Sequence, residues 1–287
     1  MAEETLYAGG IYWRVFTPAG NESTADADAT PRGDNAGTTS LVVLHGLFGS
    51  GDNWRRHARA LADARTVYVP DMPNHGRSLH VDSAAYPEIA EIVWSALEEL
   101  GLGYEGTPTA ILGHSMGGKV GMAMALSRPE ATARLIVADI APRAYPPRHD
   151  EIFRAMEAVA SARVESRSAA DKLMSAEVPQ KAIRMFLLKS LERDDDGVYR
   201  WRLNLDCLRR CYHHIGDRPY PSDTAARYDG AVLFVSGGAS PYVSTEDYDD
   251  ARRAFPSARF EVIPGVGHWL HVEAEQRFME ILRSELG

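Results

Sequence analysis

Residues 110–126 read AILGHSMGGKVGMAMAL, a pattern that indicates a strand, a sharp turn and a helix in succession. It starts as a short apolar run of β type, turns through Gly113–Gly117, and continues with small and apolar residues at helical spacing. In a G-x-S-x-G pattern the glycines remove side chains that would clash in a sharp strand-to-helix turn, which leaves the serine hydroxyl exposed. The helix that follows also places Ser115 at a helix amino terminus, where N–H groups favour developing negative charge. The stretch therefore predicts a nucleophilic serine at position 115.

Apolar runs of β type recur on both sides of this stretch, and segments with helical periodicity separate them. The runs are Leu41–Leu44, Thr66–Pro70, Ala110–Leu112, Leu135–Ala138, Val232–Val235 and Phe260–Ile263. The helical segments include Trp54–Ala64, Glu88–Leu100, Met116–Ser127, Glu246–Phe255 and Glu273–Leu286. Continuous apolar strands that alternate with helices are typical of a mainly parallel sheet covered on both faces. We therefore predict an α/β fold, with Gly10–Thr17 as an additional outer strand.

Two stretches depart from this alternation. Residues 18–40 contain almost no large apolar side chains, so we predict a flexible surface loop there. Residues 142–228 contain several amphipathic helical patterns and no convincing buried strand, which predicts an all-helical cap over the strand ends. The predicted organisation is a core of residues 1–141 and 229–287 with a helical cap of residues 142–228.

Composition excludes several classes of function. With 287 residues, of which 45% are hydrophobic, the chain has ample material for a core, and its formal charge of −9 argues against nucleic acid as a partner. No apolar run approaches the ~20 residues that span a bilayer, and the acidic amino terminus resembles neither a secretory signal nor a transit peptide, so we expect a cytoplasmic protein.

Cys207 and Cys211 share one face of a predicted helix, but no other cysteine completes a metal site, and packing is the favoured interpretation.

A nucleophilic serine needs a base and an oxyanion hole. His268 lies in Gly265-Val266-Gly267-His268-Trp269, directly after the last predicted strand, which makes it the candidate base, and His271 is its nearby rival. The backbone N–H groups of Met116, after the serine, and Leu47, after an early strand, are the expected oxyanion donors.

Several motifs together resemble a small acyl esterase branch of the α/β-hydrolase superfamily, which includes bacterial esterases and the mitochondrial abhydrolase domain-containing protein 11 group. They are Leu44–Ser50, Asp71 with Asn74–Gly76, Gly113–Lys119, Asp139–Pro142, Arg148–Phe153, Trp201–Leu205, Gly237–Ser244 and Gly267–Trp269. The likeness runs from about Leu41 to the end of the chain and includes the predicted cap. It implies an α/β-hydrolase fold with an inserted cap and a serine esterase or thioesterase activity that needs no cofactor and no metal. It also implies a mitochondrial location as an alternative to the cytoplasm.

The acid that would orient His268 is where the sequence departs from the superfamily. The acid usually follows the strand that here is Val232–Val235, but no carboxylate appears there before Glu246. Asp139 closes the strand before it, and the resemblance implies an aspartate at that place, whereas Asp71 closes an earlier strand and is the alternative. Asp139 is favoured, and Ser240, in the vacated position, is expected to hydrogen-bond His268 as a fourth member of the site.

The predicted function is hydrolysis of a small-molecule acyl ester or thioester through a Ser115–His268–Asp139 triad and an acyl-enzyme. Four aromatic residues are candidates for the substrate pocket: Phe48, Phe186, Tyr242 and Trp269. Two alternatives stay open on sequence alone, because fold and triad do not fix the reaction. One is lyase or cofactor-free haloperoxidase chemistry on the same residues, and the other is a ligand-binding or partner-binding role.

Overall fold

The computed structural model describes residues 1–19 and 39–287. Ten strands occur in these residues: β1 (Ala2–Ala8), β2 (Ile11–Thr17), β3 (Leu41–Leu44), β4 (Val67–Pro70), β5 (Thr109–His114), β6 (Thr132–Ala138), β7 (Leu191–Arg193), β8 (Tyr199–Trp201), β9 (Ala231–Gly237) and β10 (Arg259–Ile263). Eight of them form one sheet in the order β1-β2-β4-β3-β5-β6-β9-β10. The strands from β4 to β10 in that order are parallel, while β1 and β2 are antiparallel additions at one edge. The prediction of a mainly parallel α/β fold is confirmed.

Helices cover both faces of the sheet. They are α1 (Arg55–Leu61), α2 (Tyr86–Glu99), α3 (Met116–Ser127), α4 (Asp150–Ala162), α5 (Arg167–Met174), α6 (Lys181–Leu187), α7 (Leu205–Arg210), α8 (Tyr212–Gly216), α9 (Asp247–Ala254), α10 (Leu270–Glu273) and α11 (Glu275–Leu286). One apolar layer joins α2, α3 and α9 to the sheet, and it extends into the helices between β6 and β9. A second layer joins α1 and α11 to the opposite face.

Helix α2 shows how the sequence produces this packing. Pro87 occupies its first turn, where a missing N–H costs nothing, and its apolar residues repeat at helical spacing so that one face is buried. The Trp94 indole donates a hydrogen bond to the Met124 carbonyl at 3.1 Å, which fixes α2 against α3. Helix α3, which follows Ser115, therefore packs between α2 and the sheet.

The first two strands differ from the prediction for Gly10–Thr17. That segment forms β2, but β1 pairs with it along its whole length, so β2 is not the outermost strand. Most residues of β1 are exposed or half-exposed, and Glu3 and Glu4 lie within it. An edge strand that buries little carries a weak apolar signal, which is why the sequence pattern did not indicate it.

Residues 142–228 contain α4 to α8, as the helical patterns indicate, but the expectation that this segment is all-helical is wrong. β7 and β8 form a short antiparallel hairpin inside it, and Gly197, with φ of +84°, lies in its turn. The Trp201 indole donates to the Met156 carbonyl at 2.9 Å and attaches the hairpin to α4. Three-residue strands are too short to show an alternating pattern.

Residues 20–38, which make up most of the loop predicted at 18–40, lie outside the described residues. Among residues 1–19 and 39–287, no helix has both the length and the apolar character that crossing a bilayer requires.

Candidate active site

The predicted nucleophile lies in a sharp turn between β5 and α3. Ser115 has φ of 54° and ψ of −120°, and its N–H donates to the Ala138 carbonyl of the neighbouring strand at 3.0 Å. The turn has no room for side chains on its glycines: a Cβ on Gly113 would lie 2.2 Å from the Gly117 carbonyl oxygen, and one on Gly117 would lie 2.3 Å from the Leu44 carbonyl oxygen. The predicted strand-to-helix turn is therefore present, and the backbone of Ser115 is held in an unusual conformation by its neighbours.

His268 lies between Ser115 and Asp139. Its Nε2 is 3.1 Å from Ser115 Oγ, and its Nδ1 is 2.7 Å from Asp139 Oδ2. Asp139 directly follows β6, has φ of 53°, and donates its N–H to the Val235 carbonyl at 2.8 Å. The structure thus brings the three residues predicted as a triad into one continuous hydrogen-bonded series at the carboxyl ends of β5, β6 and β10.

Asp139 has two further partners and is 0% exposed. Its Oδ1 accepts the Gly237 N–H at 2.9 Å, and its Oδ2 accepts the hydroxyl of Ser240. The predicted contact of Ser240 with His268 is therefore corrected: the loop after β9 brings the Ser240 hydroxyl to the carboxylate instead. These hydrogen bonds hold the carboxylate in one orientation beneath the imidazole.

Asp71, the alternative acid, lies in different surroundings. Its Oδ1 accepts from Arg14 Nη1 and from the Gly51 N–H, both at 2.8 Å, and its Oδ2 accepts the Arg77 N–H at 2.9 Å. Burial raises the pKa of Asp71, but the charge of Arg14 and the backbone N–H groups outweigh it and hold the pKa below its ordinary value. Asp71 is an ion-paired carboxylate that contacts neither Ser115 nor His268.

The other histidines near Ser115 pack beneath the site. His271, the rival base, stacks on Trp54 with ring centroids 4.5 Å apart and is buried. His114 Nε2 lies 2.8 Å from the His268 carbonyl oxygen, and since that oxygen can only accept, Nε2 carries the proton. Burial, together with the charge of His268, lowers the pKa of His114 to about 3, so its imidazole is neutral and positions the His268 backbone.

Hydrogen bonds of two imidazoles, those of His45 and His75, fix the loop after β3 that is predicted to hold an oxyanion donor. His45 donates from Nδ1 to the Gly46 carbonyl at 2.8 Å and accepts the Met72 N–H on Nε2 at 2.9 Å. The Phe48 N–H donates to His75 Nε2 at 3.2 Å. Leu47, between these anchors, lines the same cavity as Ser115 and Met116.

That cavity, about 440 Å³ including its open mouth, lies between the sheet edge and residues 142–228. Its lining in the described residues is Leu47, Tyr86, Ser115, Met116, Lys119, Ile140, Tyr145, Pro146, Arg148, His149, Tyr212, Ile215, Gly216 and Tyr242. Of the four aromatic candidates only Tyr242 is among them, and its ring stacks on His268 with centroids 4.1 Å apart.

The other three aromatic candidates do not line this cavity. Phe48 is buried with its ring 5.3 Å from the ring of Phe153, so its apolar surface is used in packing. Phe186, on α6, packs against the core, and Trp269 lies beyond His268 with a ring separation of 6.2 Å. The structure therefore corrects the predicted pocket by removing these three residues from it.

Sequence reasoning missed most of the polar part of the cavity wall, which includes Tyr86, Tyr145, Tyr212, Arg148 and Lys119. For Lys119 a signal exists: it follows Ser115 by four residues on a helix of otherwise small and apolar residues, so it shares the serine's face one turn along. The tyrosines and Arg148 carry no such signal, because their position depends on how residues 142–228 fold over the sheet.

Comparisons with known proteins identify the family of the chain and several esterase relatives. A family described as the alpha/beta hydrolase family matches residues 41–281. The sn-1-specific diacylglycerol lipase ABHD11 of Mus musculus is 38% identical over 269 residues, which cover 91% of this chain and 83% of that protein. Esterase YbfF of Escherichia coli (strain K12) is 37% identical over 248 residues, covering 86% and 92% of the two chains. A solved marine microorganism esterase superposes with a TM-score of 0.83 at 32% identity and covers 96% of this chain and 98% of that chain.

Proposed function

Because this chain belongs to the alpha/beta hydrolase family and is a carboxylic ester hydrolase, we propose that it cleaves small acyl esters through a covalent intermediate on Ser115. The observation that carries the proposal is the hydrogen-bonded series from Ser115 Oγ through His268 to Asp139 at the floor of a cavity. This geometry is the one that a serine nucleophile, a general base and an orienting acid require.

The mechanism follows from these contacts. As Ser115 Oγ attacks the acyl carbonyl carbon, its proton passes to His268 Nε2, and Asp139 stabilises the imidazolium through Nδ1–H. The N–H groups of Leu47 and Met116 hold the negative oxygen of the tetrahedral intermediate. His268 then gives the proton to the departing alcohol or thiol. Water, deprotonated by His268, attacks the acyl carbonyl carbon, and the acyl group leaves as a carboxylic acid while His268 returns the proton to Ser115 Oγ.

Residues 142–228 act in this proposal as a cap that shapes the substrate pocket. The segment contributes Tyr145, Arg148, His149 and Tyr212 to the cavity wall, whereas the sheet edge contributes the reacting groups. Tyr145 also connects the two parts, since its hydroxyl accepts the Ala141 N–H at 2.9 Å and donates to the Tyr242 carbonyl at 2.5 Å. We accordingly assign the chemistry to the core and the choice of substrate to the cap.

A fluorophosphonate probe and a series of p-nitrophenyl esters of increasing acyl length test the proposal, with acyl-CoA thioesters compared in parallel. We expect the wild type to be labelled and to hydrolyse at least the short esters, and Ser115→Ala to lose both properties. Ser127→Ala is the matched control, because that hydroxyl lies at the far end of α3 and donates to the Met124 carbonyl. Labelling that persists in Ser115→Ala, or a wild type that hydrolyses no ester of any length, would overturn the proposal.

A further inference from the structure

Lys119 is a buried lysine in the wall of the cavity. Its side chain is 1% exposed, and Nζ lies 3.4 Å from the Gly216 carbonyl oxygen and within hydrogen-bond contact of the Asp217 carbonyl oxygen. The rings of Tyr86 and Tyr145 lie 5.4 and 4.7 Å from the same nitrogen. Carbonyl oxygens and ring faces stabilise a cation, but none of these groups neutralises it.

No carboxylate forms an ion pair with Lys119 in the described residues. An ammonium has three N–H donors, and the two carbonyl contacts account for two of them. Burial lowers the pKa of Lys119 to about 7; the charges of Arg218 and Arg143 act in the same direction, and the charge of Asp217, which forms no ion pair with Nζ, opposes them without offsetting the cost of burial. An anion brought into the cavity would remove that cost.

The rest of the cavity has the same sign of charge. Arg148, exposed at the mouth, pairs with no carboxylate in the part of the chain that the structure describes. Among the lining residues named above there is no aspartate and no glutamate. A chain with a formal charge of −9 thus presents, beside its reactive serine, a cavity whose two formal charges are both positive. Such a local excess favours an anionic ligand.

Lys119 and Arg148 lie at different places in the cavity, so they would contact different parts of a bound ester. The alcohol departs first, through the open mouth, while the acyl group stays on Ser115 until water attacks. Lys119 lies one helical turn from Ser115 on the buried wall, whereas Arg148 lies at the mouth. An acyl group on Ser115 that extends along α3 would reach the buried position, whereas an alcohol at the mouth would lie nearer to Arg148.

We propose that Lys119 binds a carboxylate carried by the acyl part of the substrate, so that the enzyme prefers half-esters of dicarboxylic acids over uncharged esters of the same length. The proposal rests on the function proposed above for Ser115, and it makes Lys119 a specificity-determining residue. Lys119 takes no part in the bond-making steps.

The experiment compares kcat/KM for monoethyl adipate and ethyl hexanoate, which differ in the terminal carboxylate. We expect the wild type to prefer the adipate half-ester, and Lys119→Met to lower the ratio of the two kcat/KM values by about 10- to 100-fold, the size of a hydrogen bond to a charged group. Lys119→Arg, which keeps the charge, should retain part of the preference. Lys172→Met, an exposed lysine on α5, is the matched control and should leave the ratio at its wild-type value. Arg148→Gln should change it less than Lys119→Met.

Measurements on the wild type alone can contradict the proposal, so the test does not depend on whether any variant folds. Faster hydrolysis of ethyl hexanoate than of monoethyl adipate would contradict it and leave the function of Ser115 standing. A preference for carboxymethyl hexanoate, whose charge lies on the alcohol side, would also contradict it. If no ester is hydrolysed and the fluorophosphonate does not label Ser115, the proposed function and this inference fall together.

Discussion

Asp71 and Asp139 occupy equivalent places in the chain but have different partners. Each directly follows a buried parallel strand, β4 or β6, at the same edge of the sheet, and their exposures are 1% and 0%. Asp71 meets a permanent cation, Arg14, and two backbone N–H groups. Asp139 meets the imidazole of His268, a hydroxyl and one backbone N–H. A carboxylate at a strand end thus acquires its role from its partners and not from its place.

The difference between the partners is chemical. An arginine stays protonated throughout, so the pair of Asp71 and Arg14 is the same before, during and after any reaction and contributes to stability alone. An imidazole can gain a proton during a reaction, and only then does the carboxylate beside it become an ion-pair partner. We therefore expect substitution of Asp139 to affect turnover and substitution of Asp71 to affect folding.

The largest expected effect is on turnover in Asp139→Asn. The amide would favour the wrong tautomer of His268 and could not stabilise the imidazolium, so kcat for a p-nitrophenyl ester should fall by about 10⁴-fold. Urea unfolding should show a folded protein, because the two side chains have nearly the same volume. A loss of less than about tenfold would mean that Asp139 is not the orienting acid.

Asp71→Asn should show the converse behaviour. It leaves the buried Arg14 with Asp52 as its remaining carboxylate, at 2.8 Å, and that partner is partly exposed. We expect the free energy of unfolding, from urea titration, to fall by about 2–4 kcal/mol. The kcat of the folded fraction should stay within the same order of magnitude as that of the wild type.

Asp63→Asn is the control for this substitution, since Asp63 is an exposed aspartate that pairs with Arg283 at 3.3 Å, and it should change stability little. If Asp71→Asn abolishes turnover while the protein remains as stable as the wild type, then Asp71 does not differ from Asp139 in its role.

A smaller effect is expected from Ser240→Ala. The hydroxyl donates to the same oxygen of Asp139 that accepts from His268, and its loss leaves the carboxylate less firmly oriented. We expect kcat/KM to fall by about tenfold, which corresponds to about 1.4 kcal/mol. Ser244→Ala removes a similar hydroxyl–carboxylate bond in the same loop, to Asp247 at 3.1 Å, and serves as the matched control. Equal effects of the two substitutions would show that Ser240 acts through loop stability only.

The parts of the site that the sequence predicted are those set by neighbouring residues in the chain. A strand, a glycine turn and a helix place Ser115, and the end of the last strand places His268, so local patterns suffice for both. The choice between Asp139 and Asp71 depended on the family resemblance, because both follow a buried strand. What separates them is Arg14, 57 residues before Asp71, and no local pattern indicates that contact.

Much of the cavity wall could not be predicted from the sequence, for the same physical reason. Phe48 follows the predicted oxyanion donor Leu47, and Phe186 lies in the inserted segment. Large aromatic side chains usually contribute to core packing, and both of these do so here. Tyr86 and Tyr145 face Lys119 from opposite sides of a boundary between the core and residues 142–228. Their juxtaposition arises from tertiary packing of segments that are far apart in the chain.

The smallest effect that separates the two aspartates is the pH dependence of stability. The pKa of Asp71 is lower in the folded protein than its ordinary value, because Arg14 and the backbone N–H groups outweigh the effect of burial. Such a carboxyl contributes stability that is fully present above its unfolded pKa of about 3.9 and is lost as the pH falls through the folded pKa. The difference in unfolding free energy between the wild type and Asp71→Asn should therefore be constant above about pH 5 and shrink below about pH 4. Urea midpoints across this range, with Asp63→Asn measured in parallel, provide the check. A difference that grows as the pH falls would mean that the Asp71 carboxyl is destabilised by its surroundings, and Arg14 would then not be the partner that distinguishes it from Asp139.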